Sequence, residues 1–247
     1  MLSDQQLFRF SRQLLVPQVD LIGQRAFLDA KVLIVGMGGI GNPVALYLAS
    51  SGVGHLTLVD YDQVELHNLP RQVLLTDADL GRSKVTVVAE KLTLQCPDVD
   101  IQACDGRIED LIDTLGQFDI LVDATDSVTV AHFLNRYSVQ HHVPLLYLSA
   151  IGTEGRLFMA RGWRDDSACL GCWLPELSDQ NEGCERLGVL SPSVGTIGVL
   201  GAVQVLRAVL GDYGTDLVCL DTWSLNQISV SVSCLADCRV CGPSAPG

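Results

Sequence analysis

Residues 31–62 read KVLIVGMGGIGNPVALYLASSGVGHLTLVDYD, and this stretch decides the fold. An apolar run over residues 32–35 leads into the glycine-rich segment 36–41, which a helical pattern follows. A second apolar run, residues 55–59, stops at Asp60. A chain that builds a nucleotide site on a parallel sheet has this order of elements: strand, glycine turn, helix, strand and acid. The stretch therefore predicts such a site; a tight turn in an ordinary parallel sheet is the simpler alternative.

Each glycine of the turn has an expected role. Gly36 allows the tight turn, Gly38 lets the backbone approach a phosphate, and Gly41 lets the helix pack closely on the strand. The helix N-terminus offers free N–H groups and the positive end of a dipole. Asp60 follows at the distance where a carboxylate binds a ribose hydroxyl. Because a dinucleotide-dependent dehydrogenase would show the same stretch, it does not identify the nucleotide.

Length, composition and charge limit the class of protein. A chain of 247 residues with 48% hydrophobic content is large enough for one α/β domain, or for a domain with an appendage. The formal net charge is −13 and there is no dense block of Lys and Arg. We therefore expect no nucleic-acid partner.

Neither a signal peptide nor a membrane span is expected. The N-terminus is polar and lacks an apolar core. The most apolar later segment, residues 194–210, is interrupted by Thr196, Gln204 and Arg207, which favours a buried helix. We therefore expect a cytoplasmic protein, in which nine cysteines favour metal binding or catalysis over a disulfide framework.

Strands and helices alternate from residue 31 to about residue 150. This alternation predicts an α/β fold, a Rossmann-like doubly wound and mostly parallel sheet. Beyond residue 150 the pattern changes to strands that pair antiparallel around a helix at 192–210. The predicted strands after the first two lie at residues 99–103, 118–123, 144–148, 154–161, 217–220 and 228–232.

Two charged residues near predicted strand ends are candidate ligands. Lys84 lies in the first turn of a predicted helix, 82–94, where a lysine opposes the helix dipole unless an anion lies beside it. It is a phosphate ligand or a plain solvated lysine. Asp126 follows the strand at 118–123 and lies on the same side of the sheet as Gly36. Its carboxylate fits a magnesium ion shared with phosphates, and its alternative role is to cap the next helix.

A short N-terminal helix is predicted before Pro17, with Ser3 and Gln6 as its cap. Arg9 and Arg12 lie three residues apart on this helix and should project from one side. The simplest role of Arg12 is that of a surface arginine. An arginine supplied by a neighbouring subunit could instead neutralise phosphate charge across a two-fold dimer.

Two CxxC pairs flank the C-terminal helix and strands. Cys169 and Cys172 form the first pair, and Cys238 and Cys241 form the second. Four thiolates complete a tetrahedral sulfur site, which suits zinc. Because no position remains for water, this zinc would hold the C-terminal segment in place and would not catalyse. Incidental core cysteines are the alternative.

The remaining cysteines divide into two groups. Cys184 lies in a polar stretch, 179–188, which predicts a loop, and an exposed cysteine beside Arg186 is a candidate nucleophile. The others lie in or near apolar segments and are predicted to be core residues: Cys96, Cys104, Cys219 and Cys234.

Together these residues resemble the ThiF/MoeB branch of the ubiquitin-activating-enzyme-like adenylyltransferases. Those bacterial enzymes activate the C-terminal Gly-Gly carboxylate of a small sulfur-carrier protein. The resemblance covers nearly the whole chain. It rests on the glycine turn, both CxxC pairs and these segments: Phe10-Ser11-Arg12-Gln13, Asp60-Tyr61-Asp62, Asn68-Leu69-Pro70-Arg71-Gln72, Lys84, Ala124-Thr125-Asp126, and Cys184 with Gly188-Val189-Leu190-Ser191-Pro192.

The resemblance implies one ThiF-type adenylation domain over residues 1–247. Its parts would be N-terminal helices over 1–30, a nucleotide-binding part over 31–150, a carrier-binding part with the zinc knuckles over 151–242, and a tail over 243–247. The implied reaction joins the carrier's carboxylate to AMP from ATP and releases pyrophosphate. The activated carrier would then take up sulfur for molybdopterin or thiamin biosynthesis.

The resemblance also assigns roles to single residues. In a homodimer, Arg12 would reach the partner subunit's ATP site, Asn68, Arg71 and Lys84 would hold the triphosphate, and Asp126 would bind magnesium. An ionised carboxylate needs no general base, so these charged groups suffice for the reaction. The implied nucleotide-binding set is Gly36, Gly38, Gly39, Gly41, Asp60, Asp62, His67, Asn68, Arg71, Lys84, Asp126 and Ser127.

The family pattern leaves the pathway open. Cys184 would join sulfur transfer in a thiamin-pathway enzyme, and a separate protein would supply the persulfide. His67 and Pro70 replace a serine and a glutamine of the family pattern, and Ser127 replaces an asparagine; none of these changes removes a charged ligand. Two alternatives remain: an NAD-dependent oxidoreductase, which shares the glycine turn and Asp60, and an inert scaffold subunit.

Overall fold

A mixed sheet of eight strands organises the described part of the chain. The computed structural model describes residues 2–175, 188–214 and 216–242. The strands are β1 Lys31–Val35, β2 His55–Asp60, β3 Asp100–Asp105, β4 Ile120–Asp123, β5 Leu145–Ile151, β6 Glu154–Ala160, β7 Asp216–Asp221 and β8 Asn226–Ser231. The helices are α1 Asp4–Arg9, α2 Asp20–Asp29, α3 Gly41–Ser50, α4 Lys84–Gln95, α5 Ile108–Leu111, α6 Val128–His141 and α7 Ser191–Val209.

The strand order is β3-β2-β1-β4-β5-β6-β7-β8. The first five strands pair in parallel, and β6, β7 and β8 extend the sheet in antiparallel fashion. Val35 at the end of β1 pairs with Val59 on one side and with Asp123 on the other. The chain therefore changes direction across the sheet between β1 and β4, where open α/β sheets bind ligands. The predicted fold class is confirmed.

Alternating side chains bury both faces of the sheet. In β1, Val32 and Ile34 pack into one core with α3, α4 and α7, whereas Leu33 and Val35 pack into the other with α5 and α6. A fully buried strand of this kind has apolar residues at every position. Helices on both faces of the sheet therefore explain the continuous apolar runs at residues 32–35 and 55–59.

Helix α7 covers the sheet beside the glycine turn. Its length and apolar composition alone would allow it to cross a membrane. In the fold, however, Val194, Ile197 and Val205 are buried in the core. A Cβ on Gly198 would lie 2.6 Å from the carbonyl oxygen of Ile40. Only glycine allows this close approach of α7 to the start of α3.

The predicted N-terminal helix is shorter than expected. Ser3 and Gln6 form the expected capping box, but α1 ends at Arg9 because the chain turns inward and buries Phe10. Arg9 pairs with Asp98 at 2.8 Å, and Arg12 lies beyond the helix, before a 3-10 turn. The prediction that the two arginines share one helix face was wrong.

Candidate active site

The glycine turn has the geometry expected of two of its glycines. Gly36 adopts a φ of 92°, and its N–H donates to the Val59 carbonyl at 2.8 Å. A Cβ on Gly41 would lie 1.8 Å from the Gly36 carbonyl oxygen, so α3 packs directly on the turn. A Cβ on Gly38 would meet nothing within 4 Å. The turn is therefore closed on the side of Gly41 and open at Gly38.

Asp60 joins the end of β2 to this turn. Its Oδ2 accepts a hydrogen bond from the Met37 N–H at 2.5 Å, and its Oδ1 accepts one from the Asp62 N–H at 2.7 Å. Burial raises the pKa of Asp60 above its ordinary value, although both backbone donors and nearby Lys84 lower it. The carboxylate holds the turn and the loop together; its contact with a ribose remains a prediction.

Lys84 lies at the first position of α4, as predicted, and its partner is Asp62. The Lys84 ammonium donates to the Asp62 carboxylate at 2.8 Å, and the Lys84 N–H donates to the Asp62 carbonyl at 3.0 Å. The lysine side chain is 6% exposed, whereas Asp62 is 49% exposed. The alternative of a plain solvated lysine was wrong: the charge is held against the loop that follows β2.

Arg71 is fixed by the short turn that precedes it. Its guanidinium donates to the His67 carbonyl at 2.8 Å and to the Asn68 side-chain oxygen at 3.0 Å. Asn68 is buried, and His67 is exposed beside Glu65 at 3.1 Å. A Cβ on Gly39 would lie 3.2 Å from the Arg71 carbonyl oxygen. The structure thus brings Arg71 beside the glycine turn.

Asn42 joins the same two segments, and the sequence analysis missed it. Its amide nitrogen donates to the carbonyls of Met37 at 2.7 Å and Gly38 at 3.1 Å, and its oxygen accepts from the Leu74 N–H at 3.1 Å. The Ser191 hydroxyl also donates to a carbonyl of this loop. A polar residue in the otherwise apolar start of α3 was the available signal.

The end of β4 and the loop after it hold two carboxylates with different surroundings. Asp126 is exposed. The Ser127 hydroxyl accepts from the Val130 N–H at 3.3 Å and so caps α6, the role that had been the alternative for Asp126. Asp123 is fully buried; its Oδ1 accepts from the N–H and hydroxyl of Thr125, at 3.0 and 2.7 Å. Its Oδ2 has no hydrogen-bond partner among the described residues.

The pKa of Asp123 is raised to about 7, chiefly by burial and to a smaller degree by the nearby charge of Asp126, although the hydrogen bonds from Thr125 oppose this rise. In the sequence, Asp123 is only the last residue of a predicted buried strand. A carboxylate there was the sole signal that the strand end belongs to the site.

Arg12 lies on the surface of the N-terminal segment. It is exposed and forms no ion pair within the part of the chain that the structure describes. Large apolar side chains nearby in sequence are exposed as well, namely Phe8, Leu15, Leu21 and Ile22. Exposed apolar side chains of this size are common on surfaces that another protein covers.

The four predicted metal ligands come together. The sulfurs of Cys169, Cys172, Cys238 and Cys241 all lie within 4.8 Å of one another. Three of the separations are 3.9, 3.6 and 3.4 Å. Ligands about 2.3 Å from a tetrahedral zinc ion lie roughly 3.8 Å apart. The donor set therefore fits a four-coordinate zinc ion. The Asn135 amide donates a hydrogen bond to the Cys169 sulfur at 3.5 Å and so helps to position that sulfur.

The prediction of a core position was wrong for one cysteine, Cys234. Cys96 is buried, and Cys104 and Cys219 pack against the core, as expected. Cys234, however, is exposed, and its sulfur lies 3.5 Å from that of Cys241. Cys184, the predicted nucleophile, lies outside the described residues.

Comparison with known proteins places the whole chain in context. Residues 10–240 match the ThiF family model. The chain is 36% identical to the sulfur carrier protein ThiS adenylyltransferase of Escherichia coli strain K12. It is 35% identical to the molybdopterin-synthase adenylyltransferase of the same organism, and both alignments cover 98% of each chain.

Solved structures show the same fold. Escherichia coli MccB bound to succinimide superposes with a TM-score of 0.82 at 24% identity, over 95% of this chain and 73% of that chain. At this identity the likeness concerns the fold alone.

Proposed function

Because the chain belongs to the ThiF family, we propose that it is an ATP-dependent adenylyltransferase that activates the C-terminal glycine carboxylate of a small ubiquitin-like sulfur-carrier protein. The observation that carries this proposal is the convergence of the glycine turn, Arg71 and Lys84 at the carboxyl ends of neighbouring parallel strands. The products are the carrier acyl-adenylate and pyrophosphate.

The triphosphate lies on the open side of the turn, where Gly38 leaves room for it. Arg71 and Lys84 face it with positive charge, and Asn68 keeps the Arg71 guanidinium in place. When the triphosphate arrives, it replaces Asp62 as the counter-charge of Lys84. The proposed contacts are those of Gly36, Gly38, Gly39, Gly41, Asp60, Asp62, His67, Asn68, Arg71, Lys84, Asp126 and Ser127.

The chemistry needs positioning and charge neutralisation. The carrier's carboxylate is ionised at neutral pH, so its attack on the α-phosphate needs no general base. Arg71, Lys84 and an Arg12 from a second subunit neutralise charge on the phosphates. The exposed carboxylate of Asp126 would hold a magnesium ion together with the phosphates, and that ion would stabilise the departing pyrophosphate.

A homodimer completes this site. The exposed apolar side chains beside Arg12 supply a surface for a second copy of the chain, and two-fold symmetry brings one arginine to each site. Each active site would thus combine the nucleotide ligands of one subunit with Arg12 of the other.

The carrier belongs to thiamin or molybdopterin biosynthesis, since relatives at 36% and 35% identity act in each. A separate protein supplies the persulfide, and Cys184 takes part in sulfur transfer if the carrier is the thiamin one. Activity is cytoplasmic.

Pyrophosphate exchange into ATP tests the function. We expect exchange that requires magnesium and a carrier ending in Gly-Gly, and the two carriers run side by side would name the pathway. Exchange without any carrier, or none with either carrier, contradicts the proposal. A thermal-shift comparison of ATP with NAD addresses the oxidoreductase alternative.

The cysteine cluster holds a structural zinc ion. Metal analysis should give about one zinc per chain. Cys169→Ser should lose it and loosen the C-terminal strands, whereas Cys219→Ser, outside the cluster, should keep it. A metal-free protein of unchanged stability would contradict this assignment.

A further inference from the structure

A fifth thiol stands beside the four that form the cysteine cluster. The Cys234 sulfur lies 3.5 Å from that of Cys241, which in turn lies 3.4 Å from that of Cys172. The next residue, Leu235, donates its N–H to the Cys172 sulfur at 3.5 Å. This hydrogen bond holds the segment that follows β8 against the cysteine cluster. It therefore keeps Cys234, the residue before Leu235, beside the cluster.

Cys234 lies outside the set of mutually close sulfurs that suits a metal ion. A tetrahedral zinc ion is filled by the other four thiolates. The separation of the Cys234 and Cys241 sulfurs is in turn longer than a disulfide bond, which measures about 2.05 Å. The two sulfurs would have to approach each other by roughly 1.5 Å to form that bond.

Exposure distinguishes Cys234 from the ligands. Cys169, Cys172 and Cys238 are buried and Cys241 is half-buried, whereas Cys234 is exposed. An oxidant in solution therefore reaches Cys234 first.

We propose that Cys234 and Cys241 form an oxidation-sensitive pair, in which a disulfide between them removes Cys241 from the donor set and releases the metal. This inference rests on the proposed zinc centre.

The chemical step uses a peroxide as the oxidant. The Cys234 thiolate attacks hydrogen peroxide, the O–O bond breaks, and the products are a Cys234 sulfenic acid and hydroxide. The Cys241 thiolate then attacks the Cys234 sulfur; the S–S bond forms, the S–O bond breaks and hydroxide leaves. The two sulfurs together lose two electrons, which reduce the peroxide. Three thiolates remain for the metal, and a thiol reductant reverses the change.

Metal release and disulfide mapping test the pair in the full-length zinc-loaded protein. Wild type, Cys234→Ser and the control Cys219→Ser are each treated with hydrogen peroxide in the presence of a chromogenic zinc chelator. We expect wild type and the control to release zinc at the same rate and Cys234→Ser to release it several-fold more slowly. After trypsin cleavage at Arg239, the oxidised wild type should yield two peptides joined through Cys234 and Cys241, as identified by fragmentation.

Three results would overturn the inference: equal release rates in wild type and Cys234→Ser, a disulfide mapped to Cys238 in place of Cys234, or a Cys234→Ser protein that is purified without metal. The last result would make Cys234 a resident ligand. A wild-type protein that never holds zinc would overturn the metal centre and this pair together. Pyrophosphate exchange, measured on the same samples, reports separately on the proposed adenylation.

Discussion

The ammonium of Lys84 lies 2.8 Å from the carboxylate of Asp62, and the lysine side chain is almost completely buried. A buried ammonium requires a counter-charge, because removal from water without one is costly. Asp62 is half exposed, and the proposed function has a triphosphate replace it as the partner of the ammonium. The pair therefore holds the Lys84 side chain in place beside the loop that follows β2.

Asp62→Asn should make the stability of the protein more dependent on bound nucleotide. The free energy of unfolding should fall by about 1 kcal/mol without ATP, a modest value because solvent screens the half-exposed carboxylate. Magnesium and ATP should then raise the melting temperature more than in wild type, since the triphosphate replaces the missing charge. Thermal shifts with and without ATP measure both effects.

The matched control is Asp29→Asn, which breaks the exposed pair with Arg25. That variant should show the wild-type response to ATP. An equal increment from ATP in Asp62→Asn and wild type would contradict the exchange of partners at Lys84.

Two glycine substitutions separate folding from binding. A Cβ on Gly41 would overlap the Gly36 carbonyl, so Gly41→Ala should lower stability by more than about 3 kcal/mol. Gly38→Ala meets no neighbour and should change stability by less than about 1 kcal/mol. If the phosphate lies against Gly38, the same variant should still lose pyrophosphate exchange. Full pyrophosphate exchange by the Gly38→Ala enzyme would show that the phosphate does not lie against Gly38.

The sequence predicted the parallel part of the sheet well because its signals are local. Apolar runs, glycines and the acid that ends β2 each act within a few residues, and the observed β1 and β2 agree with the predicted runs. The end of α1 was missed because it depends on the burial of Phe10, a tertiary contact. The Lys84 partner was missed for the same reason, since 22 residues separate it from Asp62.

The cysteines show the same limit. CxxC spacing predicted that four thiols come together, because two thiols at this spacing can reach one ion. Cys234 stands four residues before Cys238, and only the path of the chain after β8 shows that its sulfur faces Cys241. In the sequence Asp123 is the end of an apolar strand, and only the fold shows that one of its oxygens has no hydrogen-bond partner among the described residues.

Asp123 should make stability depend on pH. Its pKa is raised from 3.8 to about 7 in the folded state, chiefly by burial. The folded protein therefore favours the protonated carboxyl; the resulting stabilisation is complete below the unfolded pKa and is lost as the pH rises toward 7. Asp123→Asn cannot ionise and should escape this loss. Relative to wild type, the variant should gain up to about 3 kcal/mol between pH 5 and pH 8.

Urea unfolding of both proteins at several pH values, without magnesium, measures this difference. The comparison isolates Asp123, because other carboxylates contribute equally to both proteins. A stability difference that does not change with pH would show that the carboxyl ionises normally in the folded state.

The last prediction concerns Arg12, which lies exposed on the N-terminal segment beside apolar side chains such as Phe8 and Ile22. If it completes the site of a second subunit, Arg12→Ala and Lys84→Met should each be nearly inactive as homodimers. Methionine keeps most of the buried stem of the lysine, so the second variant should fold. A mixed dimer has one site with both wild-type residues, contributed by different chains. After random exchange of subunits, pyrophosphate exchange should recover to about one quarter of the wild-type activity, because half of the dimers are mixed and each has one complete site.

The control is Arg25→Ala, which removes another exposed arginine and should be active by itself. Mixtures that stay inactive after exchange has been demonstrated, or a fully active monomer, would show that Arg12 does not act across an interface.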